Sequence, residues 1–250
     1  MDKKLVKKIV DKTEVFLLDM DGTIYLDSTP IGDMINTLKS IRQAGKKIVY
    51  FTNNSSKTVD EYENKLKTIG FWEDGDEVYS SGVATIWYLK KYYPNKRVYL
   101  LGTDALIKTF KDNGIIIDNE NPEIAVLAYD TTIDFSKIKL FNEFLVKGAT
   151  YIATHPDMVC PTKDIFMPDV GSFIKMFEGS SGRVRGEPAL QKLPLPMKEP
   201  GLEHVSLHLF TITGWASRLF SQHGSKGSKR SMFLMHTPQA LPPATQGPGK

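Results

Sequence analysis

Two aspartates, Asp19 and Asp21, stand two residues apart directly after an apolar run, Val15–Leu18. Carboxylates that close are tolerable only with a cation or a proton between them, so the pair reads as a concentrated negative site. Gly22 follows, and its backbone is free to turn sharply and let both acids face one point. A second apolar run, Ile48–Phe51, ends in Thr52-Asn53-Asn54-Ser55. A hydroxyl and an amide at that place are donors suited to phosphate oxygens. Blander readings compete. A lone Asp after a strand is most often a turn former or a helix cap. An Asp-x-Asp-Gly string also opens a calcium loop, but that loop wants glycine at its sixth position and an acid at its twelfth. Here those positions hold Ile24 and Pro30, and the calcium reading fails. Neither a Gly-x-x-x-x-Gly-Lys loop nor a Gly-x-Gly-x-x-Gly fingerprint occurs.

The elements that must position these residues follow from periodicity. Short unbroken apolar runs (Val15–Leu18, Ile48–Phe51, Val98–Leu101, Ile124–Ala128, Tyr151–Ala153) suit strands buried on both faces of a parallel sheet. Between and after them lie helical patterns over Ile31–Ala44, Val59–Ile69, Val83–Tyr93, Ala105–Phe110, Phe135–Val146 and Val170–Phe177. Strand alternating with helix predicts an α/β fold with right-handed crossovers. In such folds ligands bind outside the carboxyl ends of the strands, where Asp19, Asp21, Thr52 and Asn53 all fall.

At 250 residues, 41% hydrophobic and 24% charged, the chain can bury a sizeable core, which excludes a disordered chain, a fibre or a coiled-coil rod. No window of 18 unbroken apolar residues suggests a membrane span, and the lysine-rich start lacks the apolar stretch of a secretory signal. One cysteine, Cys160, cannot form an internal disulfide and fits a reducing cytosol. The charge is uneven: residues 1–178 carry 23 Lys and Arg against 26 Asp and Glu, residues 179–250 carry 9 against 3. The second stretch also holds 8 of the 14 prolines and 4 of the 5 histidines, so two compositional regimes meet near Gly179–Arg185. His155 and Cys160, five apart without a second such pair, make a poor zinc site. Trp87, Tyr88, Tyr92 and Tyr93 at helical spacing read as packing.

Asp19-Met20-Asp21-Gly22-Thr23 after an apolar strand resembles the first motif of the haloacid dehalogenase (HAD) superfamily, and Thr52-Asn53-Asn54 the second motif of its NagD-like, 4-nitrophenylphosphatase branch. The similarity continues through Ser80-Ser81-Gly82, Leu100-Leu101-Gly102-Thr103, Ala153-Thr154-His155-Pro156-Asp157 and Pro168-Asp169-Val170-Gly171-Ser172, and so covers residues 12–182. It implies a Rossmann-like core with an inserted α/β cap: residues 1–78 as the N-terminal part of the core, 79–182 as the cap, and 183–250 as an atypical tail. The stretch between Asp19 and Thr52 has room for a turn and a helix, so the cap must follow the second motif. The implied activity is Mg²⁺-dependent hydrolysis of small phosphorylated metabolites, with no membrane partner and no nucleic acid. Asp19 would be nucleophile and Asp21 general acid and base; Thr52 and Asn53 would hold phosphate, and Asp19 and Asp21 the metal.

The resemblance stops at the tail. The family completes its site with a Gly-Lys-Pro segment and a later Gly-Asp strand end, whereas this chain has Gly186-Glu187-Pro188 and no aspartate beyond Asp169. One strand is expected at 205–213, with the remainder disordered and the C-terminal part of the core missing or divergent, leaving the edge of the catalytic strand open. A frameshift, splice or fusion would account for the break. Activity is expected to be impaired; the alternative is an inactive truncated or frameshifted relative, or a phospho-ligand-binding protein.

Overall fold

The structure, a computed structural model, describes residues 10–162, 165–184, 205–210 and 230–235. Its first sheet is built on β1 (Thr13–Asp19), whose apolar residues are buried from Val15 through Leu18. A small hairpin, β2 (Tyr25–Leu26) and β3 (Thr29–Pro30), leads to α1 (Met34–Gln43) and then to β4 (Lys47–Thr52). β4 lies parallel to β1, with Leu18 opposite Tyr50 and Asp19 opposite Phe51. Next comes α2 (Val59–Ile69), which starts in a capping box between Thr58 and Glu61 and ends at Gly70, whose φ of 82° is the left-handed conformation that glycine adopts without a Cβ penalty. β5 (Glu77–Ser80) then pairs parallel with β4. Phe16, Leu18, Tyr50, Leu38, Tyr62, Leu66 and Phe71 close the core on one side of this sheet.

The second sheet begins after α3 (Ser81–Tyr92). β6 (Arg97–Leu101), α4 (Asp104–Asp112), β7 (Ile116–Ile117), β8 (Ile124–Leu127), α5 (Phe135–Val146) and β9 (Thr150–Ala153) form a parallel sheet in the order β7-β6-β8-β9. The reason for its unbroken apolar strands is visible in the packing. Val98, Leu100, Ile124 and Val126 join Ile86, Leu89, Leu106 and Phe110 on one face. Tyr99, Leu101, Ala125 and Leu127 join Phe141, Phe144 and Phe177 on the other. Side chains alternate across a strand, so a sheet covered by helices on both faces needs apolar residues at every position. An antiparallel ribbon, β10 (Val159–Pro161) and β11 (Phe166–Pro168), precedes α6 (Val170–Ser181).

The two sheets meet carboxyl end to carboxyl end. The segment after β4 touches the segments after β6, β8 and β9: Thr103 Oγ1 donates to the Ser56 carbonyl at 2.8 Å, the Tyr129 amide to Ser55 Oγ at 3.0 Å, and Asn53 Nδ2 to Asp157 Oδ2 at 2.7 Å. In α/β proteins this is the ligand-binding edge, and here two such edges face each other.

The tail departs from expectation. The strand foreseen at 205–213 is β12 (Val205–Phe210), and a second strand that periodicity did not pick out, β13 (Arg230–Met235), lies between it and β1 in the order β12-β13-β1-β4-β5. β13 runs parallel to β1 with Phe16 opposite Phe233. The open edge expected on β1 is therefore paired, and the expectation of disorder is corrected for 230–235. A four-residue apolar stretch beside a Ser/Gly/Lys-rich segment is too short to distinguish from a loop until a strand edge is offered to it. The strand expected at 211–213 and the disorder expected for 185–204, 214–229 and 236–250 lie outside the described residues.

Candidate active site

Asp19 is the last residue of β1, and the chain turns immediately after it. The amides of Thr23 and Ile24 both return to the Met20 carbonyl, at 3.1 and 3.0 Å, and Gly22 takes a φ of 79° while its amide reaches the Tyr25 carbonyl at 2.8 Å. The left-handed conformation at Gly22 lets a tight loop follow a buried strand. Met20 and Ile24 point into the core, both fully buried, so the residues alternating with them, Asp19 and Asp21, stay partly accessible. Thr23 Oγ1 donates to Asp19 Oδ2 at 2.5 Å.

Asp21 is held at both carboxylate oxygens. Lys65 Nζ on α2 lies 3.3 Å from Oδ1, and the Tyr25 hydroxyl 3.4 Å from Oδ2. The ammonium also sits 4.1 Å over the Tyr25 ring, close enough for a cation–π contact. Burial raises the Asp21 carboxyl above its ordinary range and outweighs the opposing pull of Lys65; Asp19 adds to the rise, and Lys57 acts against it. The Tyr25 hydroxyl beside it is pushed far up by burial and by Asp21, and stays a donor.

Thr52 ends β4, next to β1, and is buried. Its hydroxyl oxygen accepts from the Asn54 amide at 3.1 Å, which leaves the hydroxyl proton to donate elsewhere. β1 and β4 are neighbours, and paired strands lie about 4.8 Å apart, so Thr52 stands at the same sheet edge as the acid pair. Asn53 is placed differently from a free phosphate donor. One N–H of its side-chain amide is committed to Asp157 of the segment after β9, and its backbone carbonyl accepts from Ser81 Oγ at 2.5 Å. Asn53 thus ties the two sheets together at their facing carboxyl edges.

Three groups beyond the predicted four belong to this setting. Thr23 closes the quoted five-residue motif and bonds the first acid. Lys65 and Asp157 arrive from α2 and from the segment after β9, and only tertiary contact reveals them. Asp157 is positioned through Gly171, whose amide donates to the Asp157 carbonyl at 2.7 Å. A Cβ at Gly171 would lie 2.2 Å from the Pro156 carbonyl oxygen, so only glycine permits this approach.

Oxygen donors of the Asp19 and Asp21 kind fit a hard divalent cation such as magnesium, which takes one or two carboxylates and keeps waters. A second grouping lies nearby. Ligand atoms of His155, Asp157 and Asp169 fall within 4.8 Å of one another. Both ring nitrogens of the buried His155 are already engaged, Nδ1 with Thr154 Oγ1 at 3.0 Å and Nε2 with Asp169 Oδ1 at 2.9 Å. Asp169 also caps α6 through the Val170 amide at 2.7 Å. These bonds fasten the segment after β9 to the start of α6. Cys160 beside them has its thiol pushed up to about 11, by burial first and then by Asp169, Asp21 and Asp157.

Comparison with known proteins agrees with this geometry. Residues 16–116 match the family described as haloacid dehalogenase-like hydrolase. An acid sugar phosphatase of Staphylococcus aureus is 29% identical over 170 residues, which are 68% of this chain and 66% of that protein. The 4-nitrophenylphosphatase of Thermotoga maritima is 40% identical, with 72% of this chain and 69% of that one aligned at a TM-score of 0.69. A glycerol phosphate phosphatase of Mycobacterium tuberculosis, solved in complex with magnesium, is 27% identical, with 73% of this chain and 58% of that one aligned at a TM-score of 0.65. This chain therefore spans about two thirds of the curated phosphatase it matches. Likeness at that level establishes that the chain belongs to the haloacid dehalogenase-like hydrolases, in the phosphatase branch of NagD and the 4-nitrophenylphosphatases.

Proposed function

We propose that the chain is a cytosolic phosphatase, a phosphoric monoester hydrolase of small phosphorylated metabolites, in which Asp19 and Asp21 are the catalytic pair. The observation that carries this reading is the placement of Asp19, Asp21 and Thr52 at the carboxyl edge of two adjacent parallel strands, faced by the carboxyl edge of the second sheet. Asp19, oriented by the Thr23 hydroxyl, attacks phosphorus and forms an aspartyl-phosphate. Asp21, whose raised pKa favours its protonated form, gives a proton to the leaving oxygen and takes one from the water that clears the intermediate. Thr52 donates its hydroxyl to a phosphate oxygen, and Asn53 offers its remaining N–H. The cap, residues 79–182, closes over the reacting atoms and excludes water. Magnesium, held by Asp19 and Asp21, would offset the repulsion between carboxylate and phosphate, which runs to about 1–4 kcal/mol per unit charge pair at 4 Å.

The named relatives act on sugar phosphates, glycerol phosphate and 4-nitrophenyl phosphate, which supports a small phosphorylated substrate here. Turnover is expected to be impaired, because Glu187 stands in the lysine segment and no aspartate follows Asp169. Loss of one preorganised charge-stabilising group commonly costs roughly 10²–10³ in rate. The test is hydrolysis of 4-nitrophenyl phosphate with Mg²⁺ by the wild type and by Asp19→Asn. Weak turnover abolished by the substitution supports the reading; turnover that survives it would overturn the assignment of the nucleophile. No turnover with retained binding of inorganic phosphate would instead favour the phospho-ligand-binding alternative.

A further inference from the structure

Asp19 and Asp21 at the end of β1, and Asp157 bonded to Asn53 after β4, bring three carboxylates to the facing edges of the two sheets, where the proposed reaction would place a phosphate. A cation of the chain's own can offset those like charges as a phosphate approaches. The described residues supply an ammonium from an unexpected element. Lys65 lies on α2, where Tyr62 and Leu66 are buried in the core and fix the rotation of the helix. Residues three apart share a helix face, so Lys65 rises beside Tyr62 at the rim of the site. Its Nζ pairs with Asp21 Oδ1 at 3.3 Å and stacks over the Tyr25 ring, while the Tyr25 hydroxyl takes the other Asp21 oxygen. The Lys65 side chain is one-fifth exposed, so the charge faces a site only partly open to solvent and is screened less than on an open surface.

We infer that Lys65 is a positioning residue for the phosphatase reaction: it orients Asp21 through the Asp21–Lys65–Tyr25 contact and supplies the positive charge that lets a phosphate approach the acid pair. This rests on the phosphatase reading of the same site. It makes a prediction of opposite signs for two ligands. Removing the ammonium leaves the acid pair more negative, so a divalent cation should bind more tightly and a phosphate more weakly. A merely structural lysine would weaken both together.

The test is titration calorimetry of the full chain with MgCl₂, and with inorganic phosphate in the presence of Mg²⁺, for the wild type, Lys65→Met and Lys65→Arg. 4-Nitrophenyl phosphate kinetics run alongside. The expected result for Lys65→Met is phosphate affinity lower by about tenfold or more, Mg²⁺ affinity unchanged or higher, and kcat lowered more than KM is raised. Lys65→Arg should recover most of the phosphate affinity. Unchanged phosphate affinity in Lys65→Met, or loss of both affinities together, would overturn the role of Lys65 while leaving the phosphatase reading standing. A wild type that binds neither Mg²⁺ nor phosphate would overturn that reading and this inference with it.

Discussion

The acid pair is built by opposite treatments of two similar side chains. Asp19 receives a short hydroxyl bond from Thr23, whereas Asp21 sits between an ammonium and a phenol under burial that raises its pKa. A carboxyl held toward its protonated form is suited to donate a proton at neutral pH. Thr23→Val keeps the shape and removes the hydroxyl; turnover of 4-nitrophenyl phosphate should fall by about tenfold, and stability in urea by roughly 1 kcal/mol. Cys160 offers a check on the electrostatics of the neighbouring segment. With its thiol at about 11, only about one molecule in a thousand is thiolate at pH 8. Iodoacetamide should therefore label native Cys160 slowly at pH 8, about ten times faster for each pH unit up to about 11, and quickly at pH 8 once urea unfolds the chain. Fast native labelling at pH 8 would show that the segment is open.

At the scale of elements, two local devices place the functional side chains. The capping box at Thr58 and Glu61 starts α2, which carries Lys65 to Asp21. Thr58→Ala should cost about 1 kcal/mol of stability, read as a lower urea midpoint with an unchanged slope. Gly171 admits the Pro156–Asp157 backbone against α6. Gly171→Ala must displace that segment and with it the Asp157 carboxylate on Asn53, at a cost of about 1–3 kcal/mol. Chemical shifts of the Asn53 side-chain amide should move in Gly171→Ala as they do in Asp157→Ala. If they stay in place, the glycine has another role.

At the scale of the whole molecule, two features decide behaviour. The sheets face each other through their carboxyl ends, held by the Asn53, Ser55 and Ser56 contacts, and β13 covers the edge of β1. A parallel sheet with an uncovered apolar strand at its edge is prone to pair with other chains. A chain ending at residue 204 lacks both tail strands and should aggregate more readily than the full chain, seen as light scattering at matched concentration; equal scattering would mean that β13 protects nothing. The compositional break near residue 180 has a separate test. Translating the other two frames of the coding DNA beyond that point should reveal Gly-Lys-Pro and Gly-Asp if a frameshift made the tail.

Much of this protein follows from residue order alone. Unbroken apolar runs of three to five residues, alternating with amphipathic stretches, specify buried parallel strands and crossover helices, because burial on both faces leaves no other pattern. The same order puts Asp19, Asp21 and Thr52 at strand ends, since the motif and the strand it follows are contiguous. Lys65 is another matter: on its helix it is one lysine beside Lys67, and only the docking of Tyr62 and Leu66 into the core turns it toward Asp21 rather than toward solvent. Asp157 lies 104 residues from Asn53, and β13 becomes a strand only beside β1. Such pairings depend on which surfaces meet after the sheets have formed, and short-range periodicity carries no record of that.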